Sequence, residues 1–290
     1  MKDIIVIIGP TGVGKTKLSI ELAKMLDAEI INGDSVAIYE DLDIGSAKPT
    51  IEEREGIPHY LFDIRKVEED YSVFDYQRDC RKAIDDITSR GKRVVIVGGT
   101  GLYIKAALYN YEFTPSQKKN DYSKLTNEEI YERILKYNET CDIHLNNRKR
   151  LERMLQKLEN EETISYNKDE LLYPCKIIGL TTDRDYLYER INKRVDVMVE
   201  NGLLDEVTKL KSSYEHSRIL NSGIGYKEFY DYLYHNKNLN EVLDQIKQDS
   251  RRYAKRQFTF FKHQFDTKWF DVDFQNFENT INEVYQYISK

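Results

Sequence analysis

Five consecutive apolar residues, Ile4 to Ile8, lead into Gly9, and beyond it Leu18, Leu22, Met25 and Leu26 recur at helical spacing. A short apolar run bounded by glycine predicts a buried strand, and the recurrence predicts an amphipathic helix. Residues 28–32 read as a second strand that runs into Gly33-Asp34-Ser35, and Tyr60-Leu61-Phe62-Asp63 as a further short one. Ser72 predicts a helix N-cap with Asp75 at the reciprocal position; the helix runs to about Ser89 and Gly91 closes it. Residues 93–97 form the clearest buried strand and end in Gly98-Gly99-Thr100-Gly101. Between 112 and 173 such runs vanish. Helical spacing remains at Ile130/Ile134 and at Leu151/Met154/Leu155/Leu158, which predicts a helical insertion.

Residues 176–180 return to the sheet, and Asp183 caps a helix whose Leu187, Ile191, Val195 and Met198 make the buried stripe. Arg190 and Arg194 lie on an adjacent stripe of that helix. From Leu203 to about Gln264 the pattern is mostly helical, with a turn at residues 223–226; the acidic end of the chain is expected only to complete the packing. Strands alternating with helices predict an α/β fold, a parallel sheet flanked by helices, with ligands at the carboxyl ends of the strands. The expected organisation is a core from 1–111 and 174–290 with the insertion at 112–173.

Composition narrows the class. The 290 residues are 40% hydrophobic and 32% charged, with a formal charge of −6, so no global basic excess points to nucleic acid. Cys80, Cys141 and Cys175 are odd in number and scattered, which predicts a reducing compartment without a disulfide framework. The five histidines show no ligand spacing, and no zinc is expected. The first apolar run is too short for a signal core or a membrane span. A cytoplasmic, monomeric protein without a membrane partner is expected. Charge is concentrated locally. Residues 145–158 carry five basic side chains against one acidic, and residues 247–263 carry six against one, interleaved with Tyr253, Phe258, Phe260 and Phe261. Basic and aromatic residues together suit RNA backbone contact and base stacking, although basic runs are also common on solvated helix faces.

Gly9-Pro10-Thr11-Gly12-Val13-Gly14-Lys15-Thr16 matches the phosphate-loop pattern in the strand–loop–helix context it requires. The glycines allow backbone N–H groups to turn inward around an anion, and the helix N-terminus adds positive potential. Lys15 is placed to reach an outer phosphate, and the Thr16 hydroxyl to meet Mg²⁺ or a phosphate oxygen. Asp34 and Ser35 fall on the same rim. The strand ending at Val97 lacks the aspartate that a hydrolysing nucleotide enzyme places there. The loop alone leaves the phosphate compound open.

Seven collinear segments carry a resemblance: GPTGVGKT (9–16), GDSVAIYEDLDIGSAKP (33–49), YSVFDY (71–76), VGGTGLY (97–103), RINKRVDVMVENGLLDEV (190–207), GIGYKE (223–228) and RRYAKRQ (251–257). In these the chain resembles the bacterial tRNA dimethylallyltransferases. The resemblance implies a P-loop kinase-like core and transfer of a prenyl group from dimethylallyl diphosphate, assisted by Mg²⁺, to the 6-amino group of the adenosine beside the tRNA anticodon. It implies residues 9–16 as the donor-binding loop, Asp34 as general base, Lys15, Thr16 and Arg194 on the diphosphate, and Arg190 in a lesser role. Ser35, Val36, Ala37 and Thr100, with Asp34, match positions at the target nucleoside. Lys149, Arg150, Arg153, Arg252, Lys255 and Arg256 are the expected RNA-phosphate contacts. The insertion departs from the family pattern: Asn147 stands where an aspartate is usual, and Met154 and Gln156 where alanine and glutamate are. The alternatives are a P-loop kinase of a small metabolite, a prenyltransferase acting on free adenine nucleotides, and a non-catalytic RNA-binding module.

Overall fold

The computed structural model describes residues 3–111, 113, 120–160 and 170–290. The chain divides into two compact units, Met1–Tyr109 with Leu171–Lys290, and Asn110–Glu170. In the first unit, six strands among the described residues form one parallel sheet in the order β3-β2-β4-β1-β5-β6. They are β1 (Ile4–Ile8), β2 (Ala28–Asn32), β3 (His59–Tyr60), β4 (Arg93–Val97), β5 (Cys175–Thr181) and β6 (Lys268–Asp271). The helices are α1 (Lys15–Leu26), α2 (Val73–Ser89), α3 (Gly101–Leu108), α4 (Asn127–Tyr137), α5 (Arg148–Glu159), α6 (Arg184–Glu200), α7 (Leu203–Lys209), α8 (Tyr230–His235), α9 (Leu239–Gln264) and α10 (Phe277–Ser289).

The central strands read as continuous apolar runs because both faces of the sheet are covered. Alternate residues serve opposite faces. Ile4, Val6, Ile8, Val94 and Ile96 join the core beneath α2, α3, α7 and α9, while Ile5, Ile7, Ile30 and Val95 join the core beneath α1 and α10. The predicted capping box at Ser72 and Asp75 opens α2. On α1 the buried stripe includes Leu18 and Leu22 but not Met25, which is 44% exposed. The short strand stops at Tyr60 instead of reaching Asp63, because Leu61 and Asp63 take positive φ angles of 63° and 53° that no strand contains. The C-terminal stretch does more than fill space: its β6 pairs with β5 from Ile178–Lys268 to Thr181–Asp271 and forms the sheet edge.

The second unit has its own core, Tyr122, Ile130, Ile134, Leu151 and Leu155 between α4 and α5. Arg148 ties it together, donating to the carbonyls of Tyr122 and Leu125 and pairing with Glu152. This arginine of the basic window is therefore structural. The division falls at Asn110 and Glu170 rather than 112 and 173, because Tyr109 and Leu171 form an antiparallel bridge that belongs to the first unit.

The carboxyl ends of β2 and β4 meet closely. Gly33 N–H donates to Val97 O at 2.7 Å, Thr100 N–H donates to Gly33 O at 3.0 Å, and a Cβ on Gly98 would lie 2.1 Å from the Gly33 carbonyl carbon. Gly98→Ala should therefore cost about 1–3 kcal/mol through overpacking, read as a lower urea midpoint at unchanged m-value. A wild-type midpoint would mean that the two strand ends separate freely.

Candidate functional site

The phosphate loop hangs between β1 and α1, anchored by Val13, whose side chain is wholly buried in the core. Gly14 precedes the helix at φ 95°, and a Cβ there would stand 2.9 Å from the Phe277 ring, so both conformation and space demand glycine. Lys15 folds back over the loop, donating from Nζ to Gly9 O at 2.9 Å and to Pro10 O at 2.8 Å. Burial, with help from the neighbouring Arg194 charge, lowers its ammonium to about 7 against the opposing influence of Asp34. Arg194 donates from Nη1 to Thr11 Oγ1 at 3.3 Å, and Arg190 from Nε to Gly12 O at 3.1 Å. Burial holds the Arg194 guanidinium below its ordinary range; Asp34 opposes this and Arg190 adds to it. Three cations thus crowd one loop.

These residues line a cleft of about 810 Å³ that also takes in Gly12, Gly14, Thr16, Asp34, Ala37 and Lys48. Thr16 is exposed to it. A second pocket of about 290 Å³ is lined by Ser35, Val36, Met198, Ile224 and Arg256. Thr11, Asp34, Ser46, Arg194 and Tyr253 line both. Asp34 sits at the junction.

Its placement is set by its neighbours. Asn32 brackets the turn, accepting from Asp34 N–H at 2.9 Å and donating to Asp34 O at 3.0 Å. Asp34 Oδ1 accepts from Val36 N–H at 2.9 Å, so one oxygen of the carboxylate caps the turn. Thr100 Oγ1 accepts from Ser35 N–H at 3.0 Å and donates to Ser35 Oγ at 3.2 Å, joining the two rim segments.

Several site residues escaped the sequence reading. Gln257 accepts from Thr11 N–H at 2.9 Å and donates to Gly99 O at 3.0 Å, and the Tyr253 hydroxyl donates to the same carbonyl at 3.3 Å. The Gln257 amide nitrogen lies 2.2 Å from where a Gly99 Cβ would be, so a side chain at that strand end would displace the Gln257 amide from its two hydrogen bonds. Helical spacing held the signal: 253, 257 and 261 share one stripe of α9, beside buried Ile246 and Ala254. The aromatics of the basic window consequently divide: Phe260 and Phe261 pack inward, Tyr253 lines both pockets, and Phe258 is exposed. Phe261 is fully buried, Phe260 packs over Gly101, and the exposed Phe258 meets Trp269 at a tilt of 52° with ring centres 5.0 Å apart. A second omission is Glu206, whose carboxylate accepts from the N–H groups of Asp43, Ile44 and Gly45 at 3.0, 2.7 and 3.0 Å and from Tyr226 OH at 2.7 Å. It fixes the loop that carries Ser46.

The basic candidates fall in two places. Arg252, Lys255 and Arg256 are exposed on α9, and Arg256 reaches the smaller pocket, while Arg252 pairs with Asp249 at 3.5 Å. Lys149, Arg150 and Arg153 are exposed on α5 in the other unit.

Residues 37–264 match the family model described as IPP transferase. A relative named tRNA dimethylallyltransferase, from Anoxybacillus flavithermus, is 44% identical over 99% of this chain and 96% of its own. Among solved structures, a full-length tRNA isopentenylpyrophosphate transferase from Bacillus halodurans is 40% identical with a TM-score of 0.79, covering 100% of this chain and 96% of its own. A eukaryotic dimethylallyltransferase acting on tRNA is 29% identical with a TM-score of 0.81, covering 100% of this chain and 80% of its own. With its phosphate loop, its doubled pocket and these relatives, the chain belongs to the IPP transferase family.

Proposed function

We propose that this protein transfers a dimethylallyl group from dimethylallyl diphosphate to the 6-amino group of the adenosine beside the anticodon of tRNA, releasing diphosphate. The observation that carries the reading is Asp34 at the junction of two pockets that share Arg194, with Lys15 and Thr16 of the phosphate loop in the larger and Ser35 and Val36 in the smaller. The relatives named for this activity support it.

The exocyclic nitrogen attacks the first carbon of the prenyl group while the bond from that carbon to the diphosphate oxygen breaks, its electron pair leaving with diphosphate. The amine is a weak nucleophile because its lone pair is drawn into the ring. Asp34 takes the proton it sheds, the task of a positioned general base. Charge grows on the departing diphosphate, and the loop N–H groups, Lys15, Arg190 and Arg194 are in place before it does, which is where electrostatic preorganisation acts. Thr16, exposed on the cleft, would be the protein ligand for Mg²⁺. Among the described residues no group of three His, Cys, Asp or Glu side chains could hold a metal ion. That fits a cation held chiefly by substrate phosphates and water. Mg²⁺ supplies further neutralisation of the leaving group.

A base flipped from the anticodon loop would enter the smaller pocket past Ser35 and Val36. Arg252, Lys255 and Arg256, and on the other unit Lys149, Arg150 and Arg153, would bear on RNA phosphates. The strand end at Gly98-Gly99 argues against a kinase. An aspartate at position 98 would collide with the Gly33 main chain, and one at 99 would displace the Gln257 amide.

Incubation with labelled dimethylallyl diphosphate and either unmodified tRNA, AMP or ATP should place the label on tRNA; labelled AMP or ATP would refute the choice of acceptor. Asp34→Ala should lower turnover about a hundredfold or more while tRNA affinity holds. Diphosphate binding should also draw a proton onto Lys15, because a bound anion favours its charged form. Near pH 7 this uptake is about half a proton, and donor affinity falls as pH rises through the free value of about 7. Calorimetry in buffers of different ionisation heat measures it, and in Lys15→Met this contribution should vanish. Equal uptake by both proteins would exclude Lys15.

A further inference from the structure

Arg190 is held by aromatic carbon. Among the described residues no carboxylate lies within ion-pair distance of it, and its like-charged neighbours Lys15 and Arg194 line the same cleft. Its guanidinium carbon lies 3.9 Å from the centre of the Phe274 ring and 6.0 Å from that of Tyr186, and those two rings are 5.3 Å apart. The bond from Nε to Gly12 O fixes the other side. Phe274 belongs to the segment between β6 and α10, which the sequence marks as packing alone.

That segment is a rigid mount. Asp273 accepts from the N–H groups of Gln275 and Asn276 at 3.0 and 2.9 Å and from Asn279 Nδ2 at 2.8 Å, and its own N–H donates to Thr280 Oγ1 at 2.9 Å. Phe277, from the first turn of α10, closes over Gly14 and lies 4.9 Å beneath Lys17 Nζ. One short turn therefore supports both the phosphate loop and the arginine beside it.

We infer that Phe274 is a positioning residue of the donor site, its ring face holding the Arg190 guanidinium against the phosphate loop where the diphosphate of the prenyl donor binds. The inference rests on the donor-site reading above. A ring face attracts a cation without neutralising it, so Arg190 keeps its full charge for the ligand. A carboxylate in the place of Phe274 would hold the arginine as well but would cancel the field that the leaving group needs. Without the ring, repulsion from Lys15 and Arg194 drives the guanidinium toward water, and each binding event must reorder it.

Inorganic diphosphate binding, followed by calorimetry on the full chain, tests this without any turnover. Phe274→Leu keeps an apolar side chain but has no ring face, and should weaken diphosphate binding roughly three- to thirtyfold. Phe274→Met serves the same purpose if the leucine variant does not fold, and Phe274→Tyr should bind within about twofold of wild type. The double variant Phe274→Leu/Arg190→Ala should bind no more weakly than Arg190→Ala, because the ring acts through the arginine. tRNA affinity should stay level throughout. Wild-type affinity in Phe274→Leu, or losses that add fully in the double variant, would overturn the inference. Failure of the wild-type protein to bind diphosphate at all would instead remove the donor-site reading, and the inference with it.

Discussion

The ends of β2 and β4 approach so closely that backbone meets backbone, and the chemistry of the site depends on that approach. Gly98 has no room for a side chain against the Gly33 main chain, and a side chain at Gly99 would push the Gln257 amide aside. The contact turns the chain after Gly33 so that Asp34 faces the phosphate loop, and turns the chain after Gly99 so that Thr100 reaches Ser35. Gln257 then ties the same point to the phosphate loop through Thr11. Three segments distant in sequence are registered to each other by hydrogen bonds to a few main-chain atoms.

Around that fixed point the protein gathers charge of one sign. Lys15, Arg190 and Arg194 repel one another, and burial raises the cost further for Lys15 and Arg194. The diphosphate of the proposed donor would relieve that cost, so the same crowding would favour the ligand. Asp34 offsets part of it, which gives the carboxylate an electrostatic duty in addition to its proposed chemistry.

Much of this could be seen in the sequence. Strands that are buried on both faces read as apolar runs, so β1, β2 and β4 are sharp, and the phosphate loop, Asp34, Thr100 and Arg194 fall on one rim because parallel strands place their carboxyl ends together. What the sequence obscured has physical causes. β6 is four residues long with lysine and aspartate at its ends, since an edge strand needs little apolar surface. Gln257 and Tyr253 sit inside a cluster of basic residues, and composition alone merges the two faces of α9. Glu206 looks like any acidic residue in the first turn of a helix, and only the fold brings the 43–45 amides to it. Phe274 gives no signal, because a ring that holds a cation resembles a ring that fills a core.

The grip of Glu206 on the 43–45 loop mirrors that of the phosphate loop on its ligand. Consecutive main-chain N–H groups converge on the Glu206 carboxylate, a side chain of the protein itself, as they would on the proposed diphosphate in the phosphate loop. The entropy of ordering the 43–45 loop is therefore met once, when the chain folds, whereas in the proposed function the phosphate loop would complete its contacts anew with each donor. The wall of the site is finished in advance and its floor would be finished by the proposed substrate, so the recess beside Ser46 would keep its shape as the diphosphate comes and goes.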